Sequence, residues 1–181
     1  MYFQAEGKQN TEKTVELALK TARERDIRHI VVASCSGYTA NYFKDASDIE
    51  TVCVTHVNGF KEKGGNEMPA DVRQRLTGSG VKVLTTTHVL SGAERGLSRK
   101  FGGTYPVEIM AHTLRMFGQG VKVCVEIAVM ALDAGLIPYG QPVIAVGGTG
   151  EGADTAVILT PSHASSILET RIHEIICKPY C

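Results

Sequence analysis

Short apolar runs alternate with longer amphipathic runs along most of the chain. In the first amphipathic run, Val15, Ala18 and Ala22 lie among charged residues at the spacing of one helical face. This helix starts at a cap beginning with Asn10 and ends near Asp26. Over the whole chain the pattern predicts strands at 2–4, 29–33, 51–55, 81–85, 143–146, 156–159 and 171–177, the first and last at sheet edges, and further helices at 39–46, 69–76, 106–117 and 121–134.

The order of these elements indicates the fold class. Several strands, such as the one at 29–33, are apolar almost throughout, and they alternate with helices. Such strands are typical of a parallel sheet that helices cover on both faces. The sequence therefore predicts a three-layer α/β sandwich with a mostly parallel sheet. Because the chain has 181 residues and shows no internal repeat or linker, we expect residues 1–181 to form a single domain.

The segment at 86–105 interrupts this alternation. Four glycines are interspersed there with Ser, Thr, Arg and Lys, and the segment is too long for an ordinary connection. We expect a functional lid or binding segment. Its cations, Arg95, Arg99 and Lys100, are candidates for pairing with a phosphate, and Arg99 is the first choice because it adjoins a Phe-Gly-Gly turn. A loop cation that only faces water is the alternative for each.

Two consecutive helices are expected after this segment. The one at 121–134 is apolar on nearly all sides, which is typical of a buried helix. The helices at 106–117 and 121–134 form an apolar pair, and symmetric assemblies of identical chains are common. We therefore expect a homo-oligomer.

Composition and charge exclude several classes of partner. Lys and Arg number 19, as do Asp and Glu, so the chain has no net charge to attract a nucleic-acid backbone or an anionic membrane. No apolar run is long enough to span a bilayer, and the N-terminus does not resemble a signal peptide. The cysteines show no Cys-x-x-Cys pair and no histidine at metal-ligand spacing, so we expect reduced thiols, no metal site and a cytoplasmic protein. The five cysteines are Cys35, Cys53, Cys124, Cys177 and Cys181.

A hydroxyl- and glycine-rich turn follows the strand at 29–33. Ser34, Ser36 and Thr39 surround Gly37 just before a predicted helix, a context in which backbone N–H groups and hydroxyls bind a phosphate. A helix cap without a ligand is the alternative, although capping needs only one hydroxyl. The absence of a lysine after the glycine argues against the phosphate loop of nucleoside triphosphatases.

A second glycine-rich loop follows the strand at 143–146. Four glycines lie within 147–152, so the backbone there can approach a ligand closely. A wide hairpin loop is the alternative, because a strand and not a helix follows Asp154. Ligands of open α/β sheets bind beyond the carboxyl ends of strands, which is where both loops are predicted to lie.

Several other residues have titratable or nucleophilic side chains, but the sequence pattern does not decide their roles. His56 and His88 each follow a strand, so each is a candidate acid, base or phosphate partner, or else a turn residue bonded to backbone. Glu126 lies in an apolar run and is either a buried structural acceptor or a ligand contact. Cys35 and Cys124 are candidate nucleophiles, although buried cysteines mostly serve packing.

The two loops and their flanking strands resemble the carboxy-terminal domain of pyruvate kinase. The resembling segments are VVASCSGYTA followed by VCVTH, and VIAVGGTGEGADTAVIL. In that domain a Ser/Thr-Ser-Gly-x-Ser/Thr loop binds the phosphate of an allosteric sugar bisphosphate. The catalytic barrel of pyruvate kinases is missing from the sequence, so the resemblance does not imply kinase activity.

The middle of the chain carries a more specific resemblance. From THVLSGAERGLSRKFGG to the helix pair, it resembles stand-alone archaeal and bacterial proteins described as pyruvate kinase alpha/beta domain-like, and GKQNTEKTVELA and HEIICKP extend the resemblance to both ends. Flavin mononucleotide (FMN) is the ligand linked to that family, whose activity is unassigned. The resemblance implies a phosphate on Ser34, Ser36, Gly37, Tyr38 and Thr39. Around the rest of the ligand it implies His56, Gly59, Phe60, Ser91, Gly92, Arg99, Gly148, Thr149, Asp154 and Thr155.

Three functions follow from these expectations. The first is an FMN-binding protein in which the flavin serves a redox reaction on an unknown substrate. The second is a non-enzymatic sensor of a phosphorylated metabolite. The third, a phosphatase or isomerase that uses His56 or His88, lacks a carboxylate or metal cluster in the sequence pattern.

Overall fold

A seven-stranded sheet forms the middle layer in a computed structural model of the chain, which describes residues 1–180. Cys181 lies outside the described residues. The strands are β1 (Tyr2–Phe3), β2 (His29–Ala33), β3 (Glu50–Val54), β4 (Lys82–Leu84), β5 (Val143–Gly147), β6 (Thr155–Thr160) and β7 (Arg171–Pro179). The helices are α1 (Thr11–Glu24), α2 (Ala70–Gly78), α3 (Gly92–Phe101), α4 (Pro106–Arg115) and α5 (Gln119–Asp133), with short 3-10 helices at Lys8–Asn10, Ala40–Phe43 and Ala164–Glu169.

The strand order is β1-β7-β6-β5-β2-β3-β4. Strands β5, β2, β3 and β4 run parallel, and β1 is parallel to β7, whereas β6 is antiparallel to both of its neighbours. The predicted α/β sandwich with a mostly parallel sheet is therefore confirmed. The strand predicted at 171–177 is not at the edge, because β1 pairs with its outer side.

Each face of the sheet has its own apolar core. On one face, Ile30 and Val32 of β2 pack among apolar residues of α1 and α2. On the other face, Val31 contacts a core that α5 dominates. Successive residues of one strand thus point into opposite cores, which explains why β2 is apolar throughout. No helix among the described residues is long and apolar enough to cross a membrane.

Helix α5 approaches the sheet very closely at its first turn. A Cβ at Gly120 would overlap the side chain of Thr155 at the start of β6. A Cβ at Gly147, the last residue of β5, would lie 3.0 Å from the carbonyl oxygen of Gly120. Glycines at these two positions let α5 rest directly on the strands next to the second glycine-rich loop.

Two local predictions were wrong. The segment at 86–105 contains a regular helix, α3, which begins at Gly92 and ends before Gly102. Its apolar residues Ala93, Leu97 and Phe101 recur every four residues, a helical spacing that the glycine content obscured. The helix predicted at 39–46 is only the 3-10 helix Ala40–Phe43.

Candidate functional site

A cavity of about 870 Å³ opens at the carboxyl ends of β2, β3 and β5. Its walls come from the loop after β2, the loop after β3, the loop between β5 and β6, and the first two turns of α5. Its volume lies within the range of small-molecule sites, about 300–1,000 Å³. The predicted location of the site, beyond the ends of the parallel strands, matches this cavity.

The loop after β2 presents unpaired polar groups to the cavity. In the described part of the chain, the backbone N–H groups of Cys35, Ser36 and Gly37 donate no hydrogen bond to the protein. Thr39 is only 2% exposed, yet its hydroxyl has no hydrogen-bond partner among residues 1–180 and it lines the cavity. Because Cys35, Ser36 and Thr39 line the cavity, these unpaired groups are available to bind a ligand there.

The two serines of this loop shape it. The Ser34 hydroxyl accepts a hydrogen bond from Ala40 N at 3.3 Å, and the Ser36 hydroxyl accepts one from Tyr38 N at 3.4 Å. Gly37 has a φ of +87°, and a Cβ there would overlap Val72 of α2. Because only a four-residue 3-10 helix follows, a helix dipole adds little to anion binding here, and the loop itself must provide the donors.

The loop after β3 brings an ion-paired carboxylate to the cavity. Glu67 Oε1 lies 2.6 Å from His56 Nδ1, and Glu67 Oε2 lies 2.6 Å from Lys61 Nζ. Although burial opposes ionisation, the hydrogen bonds from Lys61 and His56 lower the pKa of Glu67 below its usual range. The His56 ring also stacks on Phe60, with centroids 3.8 Å apart. Gly59 lies in the same loop with a φ of +83°, and neither it nor Phe60 lines the cavity.

Sequence analysis missed Glu67 and Lys61. They lie in a polar, glycine-containing stretch between β3 and α2 that shows no hydrophobic period and no known motif. One signal in the sequence could have indicated them: this stretch follows the carboxyl end of β3, where ligands of such sheets bind.

Cys35 joins this group from the neighbouring loop. One donor atom from each of Cys35, His56 and Glu67 lies within 4.8 Å of the other two. Burial raises the pKa of the Cys35 thiol to about 11, so it is protonated at neutral pH. Spacing in the sequence does not show this cluster, because the three residues come from two different loops.

The loop between β5 and β6 lines the opposite wall through Gly148, Gly150, Glu151 and Gly152. Asp154, by contrast, is fully buried beneath the loop. Its carboxylate accepts hydrogen bonds from Gly7 N at 2.9 Å, Thr149 N at 3.1 Å and the Thr155 hydroxyl at 2.7 Å. The structure therefore does not bring Thr149, Asp154 and Thr155 to the cavity surface, and Asp154 acts as the internal acceptor that shapes this loop.

The residues expected from the lid segment lie elsewhere. Ser91 and Gly92 begin α3, and Ser91 lines a separate cavity of about 330 Å³ between α3 and α4, together with Arg95 and Arg115. Arg99 is exposed in the last turn of α3 and lines neither cavity. The expected pairing of Arg99 with a ligand in the main cavity is not seen, because the helix carries the residue away on its outer surface.

His88 and Glu126 have structural partners. Burial lowers the pKa of His88, and its Nε2 accepts a hydrogen bond from Val57 N at 3.3 Å, as a neutral imidazole can. Glu126 accepts a hydrogen bond from Leu90 N at 3.0 Å and forms a buried ion pair with Lys122. Both residues therefore hold the chain between β4 and α3 in place.

Solved structures of pyruvate kinases resemble this chain. A pyruvate kinase from Cryptosporidium parvum is 14% identical with a TM-score of 0.44, over 83% of this chain and 22% of the kinase. The Cryptosporidium parvum pyruvate kinase in complex with ADP is 15% identical with a TM-score of 0.40, over 82% of this chain. The chain covers 22% of the length of each of these enzymes.

The family model of the pyruvate kinase alpha/beta domain matches residues 12–159. The match runs from helix α1 to strand β6 and includes all three loops around the cavity. Because it covers far more than half of the sequence, the chain belongs to the pyruvate kinase alpha/beta domain family.

Proposed function

We propose that this protein binds FMN in the main cavity, with the phosphate on the loop from Ser34 to Thr39. The observation that carries this proposal is the set of unpaired donors in that loop: the backbone N–H groups of Cys35, Ser36 and Gly37, and the hydroxyl of Thr39, a residue that lines the cavity. A phosphate accepts several hydrogen bonds at once, and bonds to a charged acceptor are about twice as strong as neutral ones. Lys61, whose side chain is 71% exposed beside the same cavity, is paired with Glu67 and would have to leave that carboxylate to contact the phosphate.

The remainder of the cavity suits a planar ring system of this size. Gly148, Gly150 and Gly152 leave one wall without bulky side chains, so a flat ligand can lie against the backbone. His56, which stacks on Phe60, contributes an aromatic ring to the cavity lining. The resemblance to proteins linked to FMN favours a flavin over other phosphorylated aromatic compounds. When bound, a flavin supplies hydride or single-electron transfer, and a redox role on an unknown substrate follows from that chemistry.

The second candidate function is sensing of a phosphorylated metabolite such as a sugar phosphate. The cavity lining includes the amide side chains of Asn66 and Gln119, which can hydrogen-bond to hydroxyl groups. A sugar phosphate would use the same loop for its phosphate and would need no aromatic surface.

Ligand titrations, measured by isothermal calorimetry, distinguish the two candidate functions. Purified protein, stripped of any bound ligand, is titrated with FMN, riboflavin and a panel of sugar phosphates. We expect FMN to bind and riboflavin to bind roughly 10 to 100 times more weakly, because it lacks the phosphate. Equal affinities for FMN and riboflavin would show that this loop does not bind the phosphate. Binding of a sugar phosphate without binding of FMN would instead support the sensor.

A matched pair of variants locates the phosphate. Thr39→Val removes the unpaired hydroxyl at nearly constant volume and should weaken FMN binding about tenfold, with little change for riboflavin. Thr113→Val makes the same chemical change on the exposed surface of α4 and should leave both affinities unchanged. A Thr39→Val variant that binds FMN as the unaltered protein does would contradict the proposal.

A further inference from the structure

Cys35, His56 and Glu67 form a cluster whose chemistry the proposed flavin does not use. The thiol comes from the loop after β2, and the imidazole and carboxylate come from the loop after β3. All three residues line the main cavity. Their donor atoms lie within 4.8 Å of one another, whereas donors on a tetrahedral ion with bonds of about 2.0–2.3 Å lie roughly 3.5 Å apart. Side-chain rotation covers a difference of this size.

The set of donor atoms selects the kind of ion. One sulfur, one imidazole nitrogen and one carboxylate oxygen suit zinc or cobalt, whereas magnesium and calcium prefer oxygen ligands throughout. Three protein ligands leave one coordination position free, which is the arrangement of catalytic rather than structural zinc sites. Because the three residues line the cavity, that free position faces the space where a ligand would lie.

Without a metal, the protein neutralises the cluster with its own groups. Lys61 Nζ lies 2.6 Å from Glu67 Oε2 and so occupies one side of the carboxylate. Lys61 is mostly exposed and can move into solvent when another cation arrives. A metal binds the thiolate and so must displace the thiol proton of Cys35, which means that metal binding should release protons and weaken as the pH falls.

We propose that Cys35, His56 and Glu67 bind a divalent transition-metal ion of the zinc type, with the fourth coordination position open to the cavity. This assignment departs from the sequence expectation of no metal site and does not depend on flavin binding. The other chemistry that the same residues offer is a cysteine nucleophile activated by a His–Glu pair. The geometry favours the metal, since one donor atom from each of the three residues already lies within 4.8 Å of the other two and all three residues line the cavity.

Cobalt provides a direct probe. Full-length protein treated with a chelator is titrated with Co²⁺ in the absence of flavin, and the absorption spectrum is recorded. We expect one ion per chain, intense tetrahedral cobalt bands and a thiolate-to-cobalt charge-transfer band, all displaced by added Zn²⁺. Zinc binding is then measured by competition with a chromophoric chelator. Because no flavin is present, failure here is distinguishable from failure of the FMN proposal.

Two variants test proposed ligands, a third removes the competing cation, and a fourth is the control. Cys35→Ser should abolish the charge-transfer band, and both Cys35→Ser and Glu67→Gln should weaken zinc binding at least tenfold. Lys61→Met removes the competing cation and should tighten zinc binding. Glu62→Gln makes the same change as Glu67→Gln at another carboxylate of the cavity lining and should have no effect. Thermal unfolding of each metal-free variant checks that it is folded.

Several results would overturn the proposal. One is the absence of a charge-transfer band in the unaltered protein, and another is a band that persists in Cys35→Ser. A third is equal zinc affinity in Glu67→Gln and Glu62→Gln. Rapid alkylation of Cys35 that requires His56, in a protein that binds no metal, would instead identify the cluster as a cysteine nucleophile.

Discussion

At the scale of single residues, contacts within the chain determine which polar groups are available to a ligand. Asp154 is fully buried and uses its carboxylate on three donors of the chain, so a residue that looked like a ligand contact is internal. Thr39 is nearly as buried, but its hydroxyl has no protein partner. The sequence shows both as polar residues in glycine-containing loops and cannot distinguish them, because their difference depends on contacts with distant segments such as Gly7.

Cys35 provides a prediction on reactivity. A thiol with a pKa of about 11 carries roughly a hundredfold less thiolate at pH 8 than one with the ordinary value of 9.0, and because its thiolate is the stronger nucleophile, alkylation by iodoacetamide should be slower by roughly tenfold or more. The rate should keep rising until the pH approaches 11. The measurement is peptide mapping by mass spectrometry of chelator-treated protein over a pH series, with glutathione as the reference thiol. Alkylation at the glutathione rate at pH 8 would contradict the burial that we describe.

At the scale of elements, the strands and long helices were predictable and the irregular parts were not. The apolar runs of β2, β3 and β5 leave no alternative to a covered sheet, so the three-layer fold followed from the pattern. Helix α3 was missed because its glycines outweighed a clear four-residue apolar spacing. The Glu67 loop was missed because long-range packing, and not local sequence, brings its carboxylate to His56.

Two glycines in helices give opposite predictions for the same substitution. Gly120→Ala should lower the free energy of unfolding by about 1–3 kcal/mol or more, since the new methyl group would overlap Thr155 where α5 rests on the sheet. A Cβ at Gly96, in α3, would lie in open space. Gly96→Ala should therefore raise the free energy of unfolding by up to about 1 kcal/mol, because alanine has the higher helix propensity. Urea unfolding followed by circular dichroism measures both. A loss of stability in Gly96→Ala would show that α3 is not a helix in solution.

At the scale of the whole molecule, helices α3 and α4 carry several of the exposed apolar side chains among the described residues. Helix α5, whose apolar character suggested an assembly, is buried within the chain itself. Five exposed apolar side chains lie on α3, on α4 and just after α4: Leu97, Phe101, Ile109, Met116 and Phe117, which are 44–79% exposed. Exposed apolar side chains on two consecutive helices are a candidate interaction surface.

We therefore keep the expectation of a homo-oligomer and assign it to this surface. Light scattering coupled to size-exclusion chromatography should give a mass that is a multiple of the chain mass. Ile109→Glu and Phe101→Glu should each shift the protein toward monomer without loss of helical signal, because a charge would be buried at the interface. Glu169→Lys, a charge change in the 3-10 helix Ala164–Glu169, is the control. A monomer at high concentration in the unaltered protein would refute the expectation.

The antiparallel pairing of β5 and β6 has a consequence for how ligand preference can change. In a parallel arrangement, the loop after β5 would lead into a helix, and altering its length would displace that helix. Here the loop from Gly147 to Asp154 closes a hairpin whose two strands are already paired, so extra residues add little closure entropy. Residues 148–151 of this cavity wall can therefore change in number or kind while the other two loops and the sheet stay as they are, provided that Asp154 keeps the hydrogen bond from Gly7 N and Ala153 N keeps its bond to the Thr11 hydroxyl, which makes this hairpin the part of the domain best suited to acquiring a new ligand.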